Sequence, residues 1–422
     1  SAAPRLAILA RLLSLLKAGL VCFWKRKNMA RFDMRRWFLS SVFCVLAGGM
    51  SACAPAQSDE TASALQPELQ AALDERFPSS PDVTQPGFVL QISKKGNAVF
   101  QATSGAADIE QARLITSKTV FHIASLSKQI TAAALAHAIE EGLVTLDDPV
   151  SRWVPETQKY GDDLTIAHLV YMTSGLTEYT DAPAPGDRPW ATFHYFTVDD
   201  AIDASLAAET LQFEPGTAWR YNNINYMLIA RIVEQAYETP FSAVVRQKIF
   251  EPLSMNASLI NDDITTIIPN RANGYLPRLQ PVLDELRSGA GIQVQSTDDL
   301  VMIRRNAPHY GGSGVMTSMD DWSKWQSELL THSVFGDAYW ALMKSRKVFD
   351  HDKTNDAFGL VHGEQGGRAT LWYSGGDIDT STYAVTFPET GMSVSCFSNN
   401  PLDSCEQKAR EAIEILIKFD AL

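Results

Sequence analysis

Apolar residues gather into short, strand-like runs near both ends of the chain. Phe88–Ile92 and Ala98–Ala102 flank a Lys-Lys-Gly-Asn turn, and Tyr383–Phe387 and Met392–Phe397 flank a Pro-Glu-Thr-Gly turn. Short apolar runs bounded by turn residues are typical of β-hairpins. Ala369–Gly376 precedes the second pair and is predicted to be a further strand that ends in two glycines. We therefore predict an antiparallel sheet built from both chain ends.

Helical spacing replaces this pattern between the two ends. Residues 129–141 have a helix-favouring composition and end at Gly142, a plausible stop. The apolar residues at helical intervals in this stretch are Ile130, Ala134, Leu135 and Ile139. A last helix over about Cys405–Phe419 is predicted to pack on the sheet, and the long middle of the chain is predicted to be mostly helical or looped.

These elements predict an α+β fold in a single composite unit over 67–422. Its α/β part would comprise about 67–140 and 340–422, and its helical part about 141–339. The candidate chemical residues described below are spread over both parts, so the active site is expected in the groove between them. An apolar content of 45% is ample for a large core.

The charge of the chain is divided unevenly. Residues 1–36 hold nine Lys and Arg against one Asp, a net charge of +8, so with −13 for the whole chain the remainder carries −21. A body this acidic is not expected to bind nucleic acid.

The N-terminal region has the features of an export signal. From Met34, two arginines precede a short apolar stretch and small residues, which is typical of a secretory signal peptide over 34–52. Arg-Arg-Trp-Phe-Leu resembles a twin-arginine signal, and Ser-Ala-Cys resembles the cleavage box of bacterial lipoproteins. Cys53 is then the predicted lipidated residue, residues 1–33 an upstream extension, and 53–66 a flexible tether.

This interpretation predicts a periplasmic or outer-membrane-anchored protein that contacts the membrane through its lipid. A plain signal peptide, or a short membrane anchor that is left uncut, remains the alternative.

The first motif that indicates catalysis is Ser125-Leu126-Ser127-Lys128. Positions i and i+3 share a helix face, so the hydroxyl of Ser125 and the amine of Lys128 can meet. A serine becomes a nucleophile when a neighbouring group takes its proton or stabilises its alkoxide. Ser125 would also lie at a helix N-terminus, which favours anions. Alternatively, Ser125 only caps the helix and Lys128 is a solvated charge.

Tyr221-Asn222-Asn223 carries the second signal. It opens an apolar helical stretch over 226–234 and presents the phenol of Tyr221 and the amide of Asn223 at a loop-to-helix junction. A phenol beside a lysine can act as general base and acid, and an amide can orient that lysine or a substrate carbonyl. Alternatively, Tyr221 is a half-buried anchor with its hydroxyl in water.

The strand that ends in Gly375 and Gly376 carries the third signal. Glycine lets a strand approach a ligand closely, so the N–H groups of Ser125 and Gly376 are predicted to form a two-donor oxyanion hole. The alternative is an ordinary turn at a strand end.

Together these motifs resemble the serine β-lactamase and penicillin-binding-protein superfamily, in its class C-like branch with the family VIII carboxylesterases and D-aminopeptidases. The likeness begins near residue 66 and includes the segments 164–176, 249–255 and 312–318. It implies the β-lactamase-like fold and an acyl-enzyme mechanism. Ser125 matches the acylated nucleophile and Lys128 its proton partner.

In the same comparison Tyr221 matches the general base and acid, and Asn223 the polar residue of the second motif. Tyr373-Ser374-Gly375 occupies the third motif, with Gly376 in the second oxyanion position. This third motif lacks the lysine with which β-lactamases and penicillin-binding proteins bind the substrate carboxylate. Tyr373 brings no positive charge, which favours a neutral ester or amide as the small-molecule partner.

Three functions therefore remain open. The first is a carboxylesterase on small-acyl esters, and the second is a β-lactamase or D-amino-acid peptidase on the same site. The third, from another class, is a non-catalytic cell-wall-binding relative. Its mark would be damage to the motifs, and none is visible at Ser125, Lys128 or Tyr221.

Other catalytic chemistries lack their motifs. The sequence contains no Gly-x-Ser-x-Gly, no His-Glu-x-x-His, no Cys-x-x-Cys and no glycine-rich phosphate loop. His122, His137 and His168 are best explained as helix-surface or core-edge residues, so we predict no cofactor and no metal. Whether Cys396 and Cys405 pair or stay as thiols is open, as is the oligomeric state.

Overall fold

The centre of the fold is a six-stranded antiparallel sheet. It consists of Phe88–Lys94 (β1), Asn97–Ser104 (β2), Val361–Gln365 (β10), Arg368–Asp377 (β11), Thr380–Phe387 (β12) and Met392–Ser398 (β13). The strand order is β10-β11-β12-β13-β1-β2, so strands from the two chain ends meet where β13 pairs with β1. The predicted antiparallel sheet from both chain ends is confirmed.

This description rests on a computed structural model, which describes residues 65–183, 195–278, 299–305, 309–346 and 356–422. Within these ranges the other strands are Ala106–Asp108 (β3), Arg113–Leu114 (β4), Val120–His122 (β5), Leu259–Ile260 (β6), Gly274–Pro277 (β7), Leu300–Ile303 (β8) and Val315–Ser318 (β9). The α-helices are Pro67–Arg76 (α1), Ser127–Glu140 (α2), Ile166–Val170 (α3), Val198–Leu206 (α4), Asn223–Tyr237 (α5), Phe241–Val245 (α6), Met319–Thr331 (α7), Gly336–Met343 (α8) and Cys405–Lys418 (α9).

Side chains on the sheet alternate between two apolar layers, because successive residues of a strand face opposite ways. Helices α1 and α9 cover one face, as predicted for the last helix. The buried side chains there include Leu69, Leu73, Leu90, Val385, Val394, Ile413 and Leu416. On the other face Phe397 packs against Phe121 and Trp322, with ring centroids 6.0 and 6.1 Å apart.

Helix α2 is the central element of this second layer. Every residue from Ser127 to Ala136 is buried, so the helix is enclosed on nearly all sides, as expected of a core helix. It packs against α5, α8 and the short α6. A turn of 3₁₀-helix, Ala124–Leu126, leads into it.

The middle of the chain contains more strand than its pattern predicts. The strands β5, β9 and β6 form a small antiparallel sheet, and β7 pairs with β8. Such strands of two to four residues are too short to show a period, and their partners lie far away in sequence. His122 does not lie on a helix surface, one of its two predicted placements. It is a residue of β5 and 8% exposed, which agrees with the other placement, the edge of the core.

The N-terminal predictions, from the upstream extension through the signal peptide and Cys53 to most of the 53–66 tether, lie outside the described residues. In the described ranges no helix combines the length and apolar character needed to cross a membrane. Cys396 in β13 and Cys405 in α9 are both buried free thiols in the structure.

Candidate active site

Ser125 lies in the 3₁₀ turn that joins β5 to α2, with its backbone held against β11. The preceding residue, Ala124, has φ of +46°, an unusual conformation for an L-residue that turns the chain sharply before the serine. A Cβ on Gly375 would lie 2.5 Å from the carbonyl oxygen of Ile123 and 3.0 Å from the nitrogen of Ser125. Glycine at 375 therefore allows the third-motif strand to touch the nucleophile turn.

Lys128 lies directly beneath Ser125 and is completely buried. Its Nζ donates to Ser125 Oγ at 3.1 Å, to Asn223 Oδ1 at 2.8 Å and to the carbonyl oxygen of Gly312 at 2.6 Å. An ammonium has three protons and no acceptor site, so these three contacts use all of its hydrogen-bonding capacity. Lys128 is thus held as a fixed cation beside the serine oxygen.

Tyr221 completes the group around the nucleophile. Its hydroxyl is 2.7 Å from Ser125 Oγ and donates to Asn223 Oδ1 at 3.2 Å, and Lys128 Nζ lies 4.9 Å from its ring centroid. The position follows from the start of α5, where Asn222 accepts from the N–H of Ile224 and donates to the carbonyl of Leu176.

The fold therefore brings together Ser125, Lys128 and Tyr221, the three residues that the sequence predicts to be catalytic.

Glu178 fixes the orientation of Asn223. One carboxylate oxygen accepts from the backbone N–H of Asn223 at 2.5 Å and the other from its Nδ2 at 3.4 Å, which leaves Oδ1 facing Lys128 and Tyr221. Burial raises the pKa of Glu178, while the hydrogen bonds from Asn223 and the charge of Lys128 lower it; the net shift is upward. Sequence inspection did not single out this carboxylate, although it follows the 164–176 segment by two residues.

Of the third-motif residues, Gly376 faces the open cleft. It lines, with Ser125, a cavity of about 160 Å³. Tyr373, Ser374 and Gly375 are not among the described residues that line it. Tyr373 is buried in the apolar core, which raises the pKa of its phenol well above the usual value. Of the third-motif positions, the described cleft lining thus includes Gly376 and not Tyr373.

The rest of the cleft wall comes from loops and turns, with Met227 from α5 and Asp377 from β11. Besides Ser125, Tyr221, Asn223 and Gly376, the lining residues are Ala124, Tyr179, Met227, Arg305, His309, Gly312, Ser313 and Asp377. Arg305 donates from NH2 to Asp377 Oδ1 at 2.6 Å, and its Nε also pairs with the same carboxylate. The positive charge of Arg305 is thus largely neutralised where it reaches the cleft.

A family model described as Beta-lactamase matches residues 74–416, which is most of the chain.

The chain belongs to the Beta-lactamase family.

Named relatives agree with this assignment. Penicillin-binding protein 4* of Bacillus subtilis (strain 168) is 31% identical over 182 residues, which cover 43% of this chain and 39% of that protein. Esterase EstB of Burkholderia gladioli is 30% identical over 184 residues, which cover 40% of this chain and 45% of the esterase. The match thus spans less than half the length of either relative.

Solved structures show the same fold. The crystal structure of D-amino acid amidase from Ochrobactrum anthropi SV3 complexed with D-phenylalanine aligns with a TM-score of 0.65 at 22% sequence identity, covering 83% of this chain and 98% of the amidase. At this identity the likeness concerns the fold alone. The predicted β-lactamase-like α+β fold is confirmed.

One cluster beside the cleft of this Beta-lactamase family member has metal-binding residue types. Donor atoms of His122, Asp377 and Asp379 lie within 4.8 Å of one another. The carboxylate of Asp377 is already paired with Arg305, and His122 hydrogen-bonds Asp379. A guanidinium occupies the place where a cation would bind, so the donor set does not fit a metal ion.

Proposed function

We propose that this member of the Beta-lactamase family is a serine hydrolase that forms an acyl-enzyme on Ser125. The observation that carries the proposal is the hydrogen-bonded group at the cleft: the oxygen of Ser125 lies 2.7 Å from a phenol oxygen and 3.1 Å from a buried ammonium. A nucleophile within hydrogen-bonding distance of a base, with that base oriented by a third group, is the general signature of covalent catalysis.

In this mechanism Tyr221 moves the proton and Lys128 supplies charge. The Lys128 ammonium, which donates all three of its protons, stabilises a phenolate on Tyr221. That phenolate takes the proton of Ser125 as Oγ attacks the substrate carbonyl, and Tyr221 then protonates the departing alkoxide. Water reverses the sequence: it gives a proton to Tyr221, attacks the acyl carbon, and the proton returns to Ser125.

The oxyanion formed in each step needs donors on the opposite side of the carbonyl. The N–H of Ser125 lies at the start of α2, and Gly376 lines the same cavity from β11. We assign these two N–H groups as the oxyanion hole, in which each donor contributes roughly 10²–10³ in rate. No cofactor takes part in this scheme.

A neutral small-acyl ester is the substrate class that fits the cleft best. Tyr373 replaces the family's lysine and lies in the core, and the charge of Arg305 is paired with Asp377. Among the described residues of the cleft, a carboxylate on the substrate would therefore find little uncompensated positive charge. The relative EstB, an esterase by name, agrees with this choice.

The decisive test is the replacement of Ser125. Ser125→Ala should lower turnover of p-nitrophenyl acetate by at least about 10³-fold, because the acyl-enzyme can no longer form at that residue. A fluorophosphonate should label wild-type protein on the tryptic peptide 119–128, which contains Ser125. Ser117→Ala is the matched control, because the side chain of Ser117 makes no hydrogen bond with any residue that the structure describes. Full turnover by Ser125→Ala would refute the mechanism.

An amide or lactam substrate is the second candidate. Arg305 reaches the cleft and would attract a carboxylate if its partner moved away, and one relative is a penicillin-binding protein by name. Comparison of p-nitrophenyl esters, nitrocefin and a D-Ala-D-Ala peptide on one preparation separates the two. We expect the esters to be turned over fastest.

We also propose export and attachment to a membrane through a lipid on Cys53. The twin arginines, the short apolar stretch and the Ser-Ala-Cys box support this proposal. In bacteria that express the full chain, activity should fractionate with membranes, and Cys53→Ala should release it into the soluble fraction. Cys44→Ala, within the apolar stretch, is the control; an unchanged distribution in Cys53→Ala would contradict lipidation.

A further inference from the structure

A second hydrogen-bonded serine lies on the wall of the cleft. Ser313 Oγ is 2.8 Å from His122 Nε2, and His122 Nδ1 is 3.0 Å from Asp379 Oδ1. Both distances fall in the range expected of a working nucleophile, base and orienting acid. None of these residues takes part in the mechanism proposed for Ser125.

His122, Ser313 and Asp379 come from three separate parts of the fold. His122 is the last residue of β5, Ser313 precedes β9, and Asp379 lies in the turn between β11 and β12. His122 and Asp379 are 8% and 7% exposed, whereas Ser313 is half-buried and lines the same cavity as Ser125. His122, Ser313 and Asp379 therefore connect the interior with a residue of the cleft wall. Ser313 also lines, with His122, a smaller cavity of about 10 Å³.

The carboxylate sets the tautomer of the imidazole. Burial raises the pKa of Asp379, but the charge and hydrogen bond of His122 and the charges of Arg305 and Arg271 outweigh it and lower the pKa to about 2. Asp379 is therefore ionised at neutral pH and accepts a proton from Nδ1 of His122. In the neutral form of His122, Nε2 is free to accept the proton of Ser313, which is the arrangement of a serine–histidine–aspartate triad. The imidazolium, whose charge lowers the pKa of Asp379, is the form that follows this transfer.

The backbone around Ser313 is fixed by close packing. Gly312 and Gly314 flank it, and Gly314 has φ of +90°, which an L-residue rarely adopts. A Cβ at Gly312 would lie 3.2 Å from the carbonyl oxygen of Asn223, and a Cβ at Gly314 would lie 3.1 Å from Cα of Tyr310, so the two glycines allow close packing. The carbonyl of Gly312 is held by Lys128 and that of Gly311 by Thr131, so the segment is fixed to α2.

We propose that Ser313 is a second nucleophile of the cleft, activated by His122 and Asp379, that accepts acyl or phosphonyl groups from small activated electrophiles. In the acyl case Ser313 Oγ bonds to the carbonyl carbon and its proton passes to His122 Nε2. The bond from carbon to the alkoxide breaks, and the imidazolium returns the proton to that alkoxide. With a fluorophosphonate the oxygen–phosphorus bond replaces the phosphorus–fluorine bond, and fluoride leaves.

Ser313 should react more slowly than Ser125. Its own N–H already donates to the carbonyl of His309 at 3.1 Å and is not available to an oxyanion. The loss of one oxyanion donor lowers rates by roughly 10²–10³. Ser313 is thus expected to show its reactivity most clearly when Ser125 has been removed.

Trypsin separates the two serines, because Ser125 lies on peptide 119–128 and Ser313 on peptide 306–324. Ser125→Ala protein is incubated with a fluorophosphonate, digested and mapped by mass spectrometry with fragmentation. We expect an adduct on Ser313, formed about 10²–10³ times more slowly than the wild-type adduct on Ser125. When His122→Gln is added to Ser125→Ala, the adduct on Ser313 should form at least about 10²-fold more slowly still, because the general base is missing.

Ser125→Ala/Ser313→Ala identifies the labelled residue, and thermal unfolding confirms that each variant is folded. If His122→Gln does not fold, Asp379→Asn in the Ser125→Ala background serves in its place. Absence of an adduct on peptide 306–324, or equal labelling with and without His122, overturns the proposal. Failure of the proposed function would instead show as an unlabelled peptide 119–128 in wild-type protein.

Discussion

At the scale of single residues, Asn223 determines the direction in which the proton of Ser125 points. Its Oδ1 accepts from both Lys128 and Tyr221, so the phenol proton is directed towards the amide. The proton of Ser125 is then left to point at the oxygen of Tyr221, 2.7 Å away. Once Tyr221 has lost its own proton, the phenolate oxygen that the mechanism requires already lies 2.7 Å from Ser125 Oγ.

Glu178 maintains this arrangement, and its replacement provides a first test at this scale. Glu178→Gln retains one acceptor oxygen where Asn223 presents two donors, so the amide should rotate and release Lys128 and Tyr221. We expect kcat/KM for p-nitrophenyl acetate to fall about 10- to 100-fold, the effect of roughly 1–3 kcal/mol for an unsatisfied buried donor. Glu214→Gln, an exposed change of the same charge, is the control, and equal rates in both variants would exclude this role.

The same carboxylate predicts a pH dependence. Because the net shift raises the pKa of Glu178 above 4.5, the group takes up a proton at a higher pH than an ordinary glutamate as the pH falls. Protonation converts one acceptor into a donor, so kcat/KM should fall as the pH decreases through that raised pKa. This decrease of kcat/KM at low pH should be missing from Glu178→Gln. If the variant shows the same decrease, a group other than Glu178 causes it.

Arg305 gives a second test among single residues, because Asp377 neutralises it. Asp377→Asn should expose a positive charge in the cleft and strengthen competitive inhibition by nitrocefin, an anionic β-lactam, about five- to tenfold. Turnover of neutral p-nitrophenyl acetate reports whether the site remains intact. The control is Asp181→Asn, which removes a carboxylate from a surface pair with Arg220. Unchanged inhibition would show that the cation of Arg305 does not reach the ligand.

At the scale of elements, the contact between β11 and the Ser125 turn depends on one glycine of the pair. A Cβ at Gly375 would meet Thr382 Oγ1 and the backbone of Ile123, whereas a Cβ at Gly376 would meet nothing within 4 Å. Gly375→Ala should therefore lower the free energy of unfolding by about 1–3 kcal/mol. Gly376→Ala should leave it within about 0.5 kcal/mol, as measured by urea unfolding. Equal stabilities would mean that strand and turn are not in close contact.

Several long elements could be predicted from the sequence, whereas the shortest strands could not. The hairpins and the helices α2, α5 and α9 each show their own spacing over many residues, and the structure places them where the sequence predicts. The strands β5, β6 and β9 contain two to four residues, and each forms only by pairing with a segment that is distant in sequence. Their small sheet therefore appears only once the chain has folded.

At the scale of the whole molecule, the site residues that the sequence predicts lie close together in the chain, whereas those that it does not predict lie far apart. Ser125 and Lys128 are three residues apart and Tyr221 and Asn223 two, so each pair is visible as a local motif. Glu178 reaches Asn223 across 45 residues and Ser313 reaches His122 across 191. Such contacts are set by the packing of distant loops, which no local spacing reveals.

The net charge of the molecule predicts how inhibition by an anionic ligand depends on salt. Residues 37–422 carry −21, and a field of that sign repels nitrocefin over distances comparable with the Debye length, about 30 Å at 0.01 M salt and 10 Å at 0.1 M. Inhibition by nitrocefin should therefore strengthen about two- to fivefold between 10 and 200 mM NaCl, whereas turnover of neutral p-nitrophenyl acetate should stay constant. The local cation Arg305 would produce the opposite trend, because salt weakens attraction as well as repulsion. Weaker inhibition at high salt would thus show that a paired arginine in the cleft outweighs the charge of the entire body.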